Sequence, residues 1–401
     1  MNTTVKMILA ALPCLLQTAH AAEWAGFAGL DVRLFAESTA YPNQNTSVAG
    51  PSVMVQPEFR HEWNNAADRF TAIPFARYDS LDSNRSHWDV RELNWLHQSD
   101  NWSVQAGVGK VFWGVAESRH LVDIINQSDF VENLNAEEKL GQPMLNLNIP
   151  SDYGNFNLLY LPYFRERTFP AANGRLRFEL PVDTENPNLN GISHWHPDWA
   201  ARWSRTFGDW DVGLAYFNGV GREPRLVPHF SEGYFRPPSA LIPNYDIINQ
   251  ASLDVQAALD NWLLKLEALT RSGQGKRFAA VVAGFEYTQY GVFESSADLG
   301  FLLEYQYDGR DPSAPPTPSD NDIFLGTRLS LNDPQNSQLL VGMMMDANTQ
   351  STVVSVEASR RLGDQWKIEI ESRLFVNVPP TDILTGLRKD DYVQLRLMRF
   401  F

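Results

Sequence analysis

The sequence predicts an all-β fold: a transmembrane antiparallel up-and-down β-barrel of about 18 strands, with about 16 as the nearest alternative. Three observations predict it. Apolar and polar residues alternate with period two along most of the chain. Very short turns alternate with long loops. No run of apolar residues reaches the roughly 20 that a membrane-spanning helix needs, which excludes a bundle of such helices.

The N-terminal segment has the pattern of an export signal. Lys6 provides a positive start, residues 7–16 form a short apolar stretch, and residues 19–21 fit a small-x-small cleavage site. We expect residues 1–21 to be removed and residues 22–401 to form a single barrel domain. The chain's one cysteine, Cys14, lies in the signal, so the mature protein would have no disulfide bond. Export without disulfides favours the envelope of a Gram-negative bacterium.

Residues 366–374 show the strand alternation most clearly. Trp366, Ile368 and Ile370 lie on one side of the predicted strand, and charged side chains lie on the other. Pro57 and Pro74 fall inside predicted strands, where a missing N–H indicates a bulge or a misplaced strand end. The predicted strands span residues 24–38, 52–63, 69–80, 87–97, 102–112, 142–149, 155–163, 199–207, 210–217, 247–258, 262–271, 277–289, 297–308, 323–331, 338–346, 352–362, 366–376 and 391–401.

Several of the shortest turns are each followed at once by a tryptophan. Asp, Asn and Gly in these turns tolerate tight hairpin geometry. A tryptophan repeated at the same strand end is typical of a membrane interface, because indole has an apolar body and one N–H donor. The connections at the other rim are long and rich in Pro, Gly and charge. The predicted interface anchors are Trp102, Trp210, Trp262, Trp366 and the C-terminal Phe401.

The composition excludes several functions. The chain has 33 basic against 48 acidic residues, a net charge of −15, which argues against nucleic-acid binding because phosphate contacts need a basic surface. It has no phosphate-binding loop, no His-Glu-x-x-His and no Gly-x-Ser-x-Gly. We therefore expect neither an enzyme nor a cofactor or metal. His194, His196 and Asp198 come nearest to a metal-binding pattern, but two alternate histidines in a loop more often face solvent.

The C-terminal strand carries a family resemblance. Residues 392–401 alternate and close on Phe401, which resembles the terminal signal of bacterial outer-membrane barrels; Arg399 interrupts the apolar side. The resemblance implies insertion by the barrel-insertion machinery through Phe401, contact with outer-membrane lipid, and location in the outer membrane. Residues 109–126, including Trp113 and Gly114, are similar to a group of porin-like proteobacterial proteins. A homotrimer stays open, because the pattern does not indicate which lipid-facing strands would pair.

Residues 115–141 are the best candidate for an internal constriction. In porins a long loop folds inward and narrows the bore, and the resemblance implies the same here; the alternative is a loop that covers the mouth. The composition of residues 121–134 is compatible with a helix packed on the wall. We expect acidic loop residues to face basic wall residues such as Arg33, Arg60 or Arg396. The pore-lining candidates are Glu117, Asp123, Asp129, Arg33, Arg60, Glu58, Lys367, Glu369, Arg373 and Arg396.

Three functions fit this pattern. The first is an outer-membrane channel for diffusion of small solutes, for which the net acidity hints at a preference for cations. The second is a substrate-specific transporter of apolar or aromatic compounds or carbohydrates. The third is a structural or adhesion barrel without transport. Conductance separates the third from the others, and a solute that blocks the current separates the second from the first.

Overall fold

The computed structural model describes residues 22–230 and 237–401, so the predicted signal at residues 1–21 lies outside the described residues. Their regular structure consists of strands and two short 3-10 turns, Val292–Glu294 and Ile383–Leu387. The strands are β1 Ala22–Phe35, β2 Ala49–Trp63, β3 Asp68–Asp79, β4 Trp88–Gln98, β5 Ser103–Gly109, β6 Gln142–Ser151, β7 Gly154–Leu161, β8 Asp198–Phe207, β9 Trp210–Val220, β10 Arg225–His229, β11 Ala240–Asn244, β12 Ile247–Leu259, β13 Trp262–Ser272, β14 Phe278–Gln289, β15 Asp298–Asp308, β16 Asn321–Ser330, β17 Gln338–Asp346, β18 Thr352–Leu362, β19 Trp366–Val376 and β20 Tyr392–Phe400.

The strands form one closed antiparallel sheet of 18. Each barrel strand pairs with its neighbour in sequence, and β20 returns to β1 with a register from Phe27↔Phe400 to Phe35↔Tyr392. The hairpin of β10 and β11 stands apart from the barrel, and β9 pairs directly with β12. This closure confirms the predicted all-β barrel and excludes the 16-strand alternative.

The longest connections all lie at one rim, as the sequence predicts, although connections 273–277 and 347–351 at that rim are shorter than connection 290–297 at the other. At the rim where β1 begins, the turns are short, as at residues 208–209 and 260–261. At the opposite rim lie the long loops 110–141, 162–197 and 221–246. We call these the short-turn rim and the long-loop rim.

The two faces of the sheet differ in polarity. On β15, Leu303 and Tyr305 are exposed on the outside, while Glu304 and Gln306 between them are buried in the interior. An apolar outer face and a charged interior suit a barrel surrounded by hydrocarbon and filled partly with water. Among the described residues, no helix has the length and apolar character needed to cross a bilayer.

The predicted anchor residues lie at the short-turn rim. The four tryptophans after short turns are between 39% and 44% exposed, and Phe401 is 60% exposed. Trp262 contacts the rings of Phe285 and Tyr287, with centroids 5.1 and 4.8 Å away. Arg399, which interrupts the apolar side of β20, lies over the ring of Trp366 at 5.9 Å.

Two local predictions about strands need correction. The fifth strand ends at Gly109 rather than at residue 112, because the side chain of Asn126 bonds Val111 N and Gly109 O, each at 2.9 Å, in place of a neighbouring strand. The long loop after β9 contains the hairpin of β10 and β11; each of these strands contains a proline, which weakens the sequence signal for a strand.

The prolines inside strands sit at irregularities of the sheet. The pairing of β3 with β4 shifts register between Ile73 and Pro74, so Pro74 marks a bulge. The pairing of β2 with β3 is interrupted between Val55 and Phe59, the stretch that contains Pro57. A residue without an N–H is tolerated at such places.

Candidate functional site

The loop at residues 110–141, which we call the internal loop, is bound by a carboxylate of the barrel interior. Glu267 on β13 is fully buried. Its Oε1 accepts the backbone N–H groups of Val115 and Ala116 at 2.7 and 2.9 Å, and its Oε2 accepts that of Val122 at 3.1 Å. Because three backbone N–H groups of the loop converge on this one side chain, it holds the first part of the loop against the wall.

A second interior carboxylate continues this attachment. Glu304 on β15 accepts the backbone N–H groups of Glu117 and Ser118, each at 2.8 Å, and the Ser118 hydroxyl at 2.5 Å. Glu267 and Glu304 were absent from the predicted site. The available signal was a lone glutamate at an inward position of a strand otherwise rich in aromatic and aliphatic residues.

The next part of the internal loop is bound to a different region of the wall. Arg77 on β3 donates to both carboxylate oxygens of Glu132, each at 2.7 Å. Arg33 on β1 donates to the backbone carbonyl of Glu132 at 2.7 Å. Asn133 donates to Glu371 on β19 at 3.1 Å.

These attachments lie on nearly opposite sides of the ring of strands. Residues 115–122 bind β13 and β15, whereas Glu132 binds β1 and β3. In the closed strand order, β3 and β13 are almost half a circumference apart. Residues 115–133 therefore cross the interior from one wall to the other.

The expected helix at residues 121–134 is not present. The loop's backbone groups are satisfied otherwise, by Glu267 at Val122 and by an antiparallel bridge between Ser128 and Lys139. Asp129 N donates to Glu138 O at 2.8 Å within that bridge. Because the Asp129 N–H bonds Glu138 O rather than a carbonyl one turn earlier, the segment follows an irregular path.

Asp129 is buried between the internal loop and β4. Its carboxylate accepts from Arg91 at 2.7 Å, from Thr168 at 2.9 Å and contacts His87 Nε2 at 3.1 Å. Burial raises the pKa of Asp129, but the hydrogen bond from His87 and the charge of Arg91 prevail and lower it to about 2. Burial lowers the pKa of His87, but the bond to Asp129 and the nearby charges raise it overall.

Two of the predicted loop acids, Glu117 and Asp129, pair with basic residues of the wall, but not with the arginines that were named. Glu117 pairs with Arg328 on β16 at 2.7 Å and reaches Lys265 on β13 at 3.5 Å. Asp123 pairs at 2.9 Å with Lys139 of the same loop. None of the three predicted loop acids pairs with Arg33, Arg60 or Arg396, because the loop's path, which local sequence does not encode, selects the wall residues it meets.

Of the three predicted arginine partners, Arg33 contacts the internal loop at a backbone carbonyl, and the other two pair with acids of the wall. Besides the Glu132 carbonyl, Arg33 donates to Gln394 at 2.6 Å. Arg60 is 3.4 Å from Glu58 on its own strand, towards the short-turn rim. Arg396 lies 3.4 Å from Asp31 and 3.3 Å from Glu369 on β19.

The remaining predicted pore residues form ion pairs on the wall. Lys367 and Glu369 are 2.7 Å apart on β19. Arg373, further along that strand, pairs with Glu357 on β18 at 2.6 Å. These pairs lie on the inward face and alternate with exposed apolar residues.

A cavity of about 460 Å³ lies between the internal loop and the wall of β16–β19, towards the long-loop rim. We call it the vestibule. Loops 162–197, 309–320 and 377–391 complete its lining. Its lining includes Phe130, Arg167, Phe169, Phe324, Glu357 and Phe375.

The histidines of loop 162–197 do not converge on one point. His194 contacts Glu166 at 2.6 Å, and His196 contacts Asp198 at 3.0 Å. Asp198 is also paired with Arg222 at 2.8 Å. Across residues 22–230 and 237–401, no group of three or more His, Cys, Asp or Glu is arranged to hold a metal ion.

The strand pairing makes the fold a closed antiparallel β-barrel of 18 strands. No family model and no curated protein matches the chain. Solved structures similar to it include two mutants of the porin of Rhodopseudomonas blastica, 9% and 8% identical, each covering 95% of this chain and 100% of its own, with TM-scores of 0.45. Because these scores are low, the architecture of this chain rests on its own strand pairing.

Proposed function

We propose that this protein is a non-enzymatic channel of the bacterial outer membrane, through which small solutes diffuse across a bore narrowed by the internal loop. The observation that carries the proposal is the course of residues 115–133, which are attached to β13 and β15 at one end and to β1 and β3 at the other. A closed barrel of 18 strands is too wide for apolar side chains alone to fill, which supports a wetted interior.

The charges along the loop support a narrowing that solutes would sense. Glu117 of the loop pairs with Arg328 on β16, and Glu357 pairs with Arg373 on the neighbouring strands β18 and β19. Fixed charges of both signs at a constriction create a local field that discriminates among solutes.

The proposal includes the route to the membrane. The protein would be exported with residues 1–21 removed and inserted through its C-terminal strand, with the tryptophans of the short-turn rim as interface anchors. Assembly as a homotrimer is compatible with the apolar outer face.

Single-channel recording in planar bilayers tests the channel. We expect conductance from the wild type and a larger conductance after deletion of residues 122–131, because that segment occupies the interior. The control is deletion of Glu185 and Asn186, two exposed residues of a loop at the same rim, which should leave conductance unchanged.

Two results would contradict the proposal. Equal conductance of the wild type and the 122–131 deletion would exclude the constriction. Absence of conductance from a folded wild type would exclude the channel and favour a structural or adhesion barrel.

A further inference from the structure

A basic cluster lies beside the vestibule. Glu223 pairs with Arg271 at 3.0 Å and with Arg310 at 2.9 Å. Asp308 pairs with Arg310 at 2.7 Å and with Arg119 at 2.9 Å. Arg167 is close enough for its charge to help hold the pKa of Glu223 well below the ordinary value, against the effect of burial. Arg271, Arg310 and Arg119 thus share two carboxylates, and Arg167 adds a fourth guanidinium that is not paired with either.

Arg167 is the member of this cluster that lacks an acidic partner among the described residues. Its Nε lies 3.5 Å from the Gln127 side-chain oxygen, and its backbone N–H donates to the Tyr245 hydroxyl at 3.0 Å. Burial lowers its pKa, opposed by the charge of Glu223. A largely desolvated cation without a paired anion is costly, so an anion that approached Arg167 from the vestibule would be stabilised.

Another cavity-lining arginine shows the contrast. Arg177 also lacks a carboxylate partner, but it donates to the backbone carbonyls of Phe178 and Glu179 at 2.8 and 2.7 Å. It further donates to the carbonyls of Ala172 and Pro42. Its donors are therefore occupied by the protein, whereas the terminal nitrogens of Arg167 have no such acceptors among the described residues.

The surroundings of Arg167 are aromatic. Its guanidinium carbon lies 5.8 Å from the ring centroid of Phe130, whose ring meets that of Phe169 edge-on at 6.0 Å. Phe324 and Phe375 line the same cavity from the wall of β16–β19. The volume of about 460 Å³ lies within the range of small-molecule sites, which are mostly apolar with a few polar groups that orient the ligand.

We propose that the vestibule binds an aromatic carboxylate, with its carboxylate on Arg167 and its ring against Phe130 and Phe169. Binding itself does not require the proposed channel function. Only its consequence, selection of the solute at the mouth of the bore, rests on that function.

Isothermal titration of the detergent-solubilised full chain with 2-naphthoate tests the site, in a nonionic detergent. A hydrogen-bonded charge pair implies that Arg167→Gln weakens binding by roughly tenfold or more. The neutral isostere 2-naphthamide should bind the wild type more weakly than naphthoate and should not distinguish Arg167→Gln from the wild type. Phe130→Ala should weaken both compounds.

The matched control is Arg225→Gln. Arg225 lies on β10, where it pairs with Asp246 at 2.9 Å, and it does not line the vestibule. It should bind naphthoate as the wild type does. A barrel signature in circular dichroism and the heat-dependent electrophoretic mobility of folded barrels establish that each variant is folded.

Three results would overturn the site: no saturable binding of naphthoate, equal affinity in the wild type and Arg167→Gln, or naphthamide bound as tightly as naphthoate. Conductance separates this inference from the proposed function. If naphthoate binds in a way that depends on Arg167 but the protein shows no conductance, the binding site is supported and the channel is excluded. If the protein conducts but does not bind naphthoate, the channel is supported and the binding site is excluded.

Discussion

Arg77 on β3 and Glu132 of the internal loop form a bidentate ion pair, with both oxygens 2.7 Å from guanidinium nitrogens and both side chains buried. Arg77 also bonds Asp31 at 3.1 Å. This pair joins the far part of the internal loop to the barrel wall, opposite the place where Glu267 and Glu304 hold its beginning.

Glu132→Gln should destabilise the folded barrel by roughly 3 kcal/mol, because removing one partner leaves a buried guanidinium undercompensated. Urea unfolding in detergent measures this change. Glu369→Gln is the control, since that carboxylate belongs to partly exposed ion pairs with Lys367 and Arg396, and its loss should cost at most about 1 kcal/mol. Equal midpoints for the two variants would contradict the importance of the buried pair.

Gly114→Ala should disturb the beginning of the internal loop. Gly114 has φ +140°, and an added Cβ would lie 2.9 Å from Glu267 Oε1, the atom that accepts from Val115 and Ala116. We expect a loss of about 1–3 kcal/mol in stability and more current noise in single channels. Gly208→Ala is the control, because Gly208 has φ +60° but nothing within 4 Å of the added atom. Indistinguishable variants would show that the Glu267 contact is unimportant.

Stability should depend on pH through His87 and Asp129. The pKa of His87 is raised above 6.5 in the folded protein, so its contribution is complete below pH 6.5 and is lost as pH rises through the raised pKa. The pKa of Asp129 is lowered from 3.8 to about 2, so its contribution is present above pH 3.8 and is lost as pH falls towards 2. Melting temperatures measured from mildly acidic to mildly basic pH test the contribution of His87. His87→Gln should weaken the dependence of the melting temperature on pH in this range. An unchanged dependence would contradict the role given to His87.

Removal of Phe401 should reduce insertion into the outer membrane in cells more than it reduces refolding into detergent. The reason is that its proposed role is recognition, whereas its backbone N–H makes one bond, to Gly26 O at 3.1 Å. Phe400→Ala is the comparison, because Phe400 packs against Phe27 inside the seam and should impair refolding instead. Equal losses in both assays for both variants would argue for a purely structural role.

The barrel could be predicted because its signals are local. On β15, the exposed Tyr305 and the buried Glu304 are neighbours in sequence, and hydrocarbon and water sort them strand by strand. Because short turns and long loops alternate between the two rims, the number of strands is then expected to be even. Even the irregularity at Pro74 was indicated, because a missing N–H is a property of one residue.

The partners of the internal loop could not be predicted in the same way. Glu117 meets Arg328, far from it in sequence, and Asp129 meets Arg91 and His87 rather than Arg33 or Arg396. Such pairs depend on where an irregular chain lies inside a closed cylinder, and no periodicity along the sequence encodes that path. Arg167 illustrates the same limit, since its lack of an acidic partner is a property of the space around it.

The sequence alone determined the barrel architecture, the direction that strand side chains face and the rim at which the longest connections lie. The two-residue repeat of apolar and polar side chains is enough to predict these features, because lipid and water select opposite faces of each strand. Folding in three dimensions adds the crossing of the bore by residues 115–133 and the vestibule beside it. Those features arise from hydrogen bonds between residues distant in sequence, such as Val115 to Glu267, which only the closed barrel brings together.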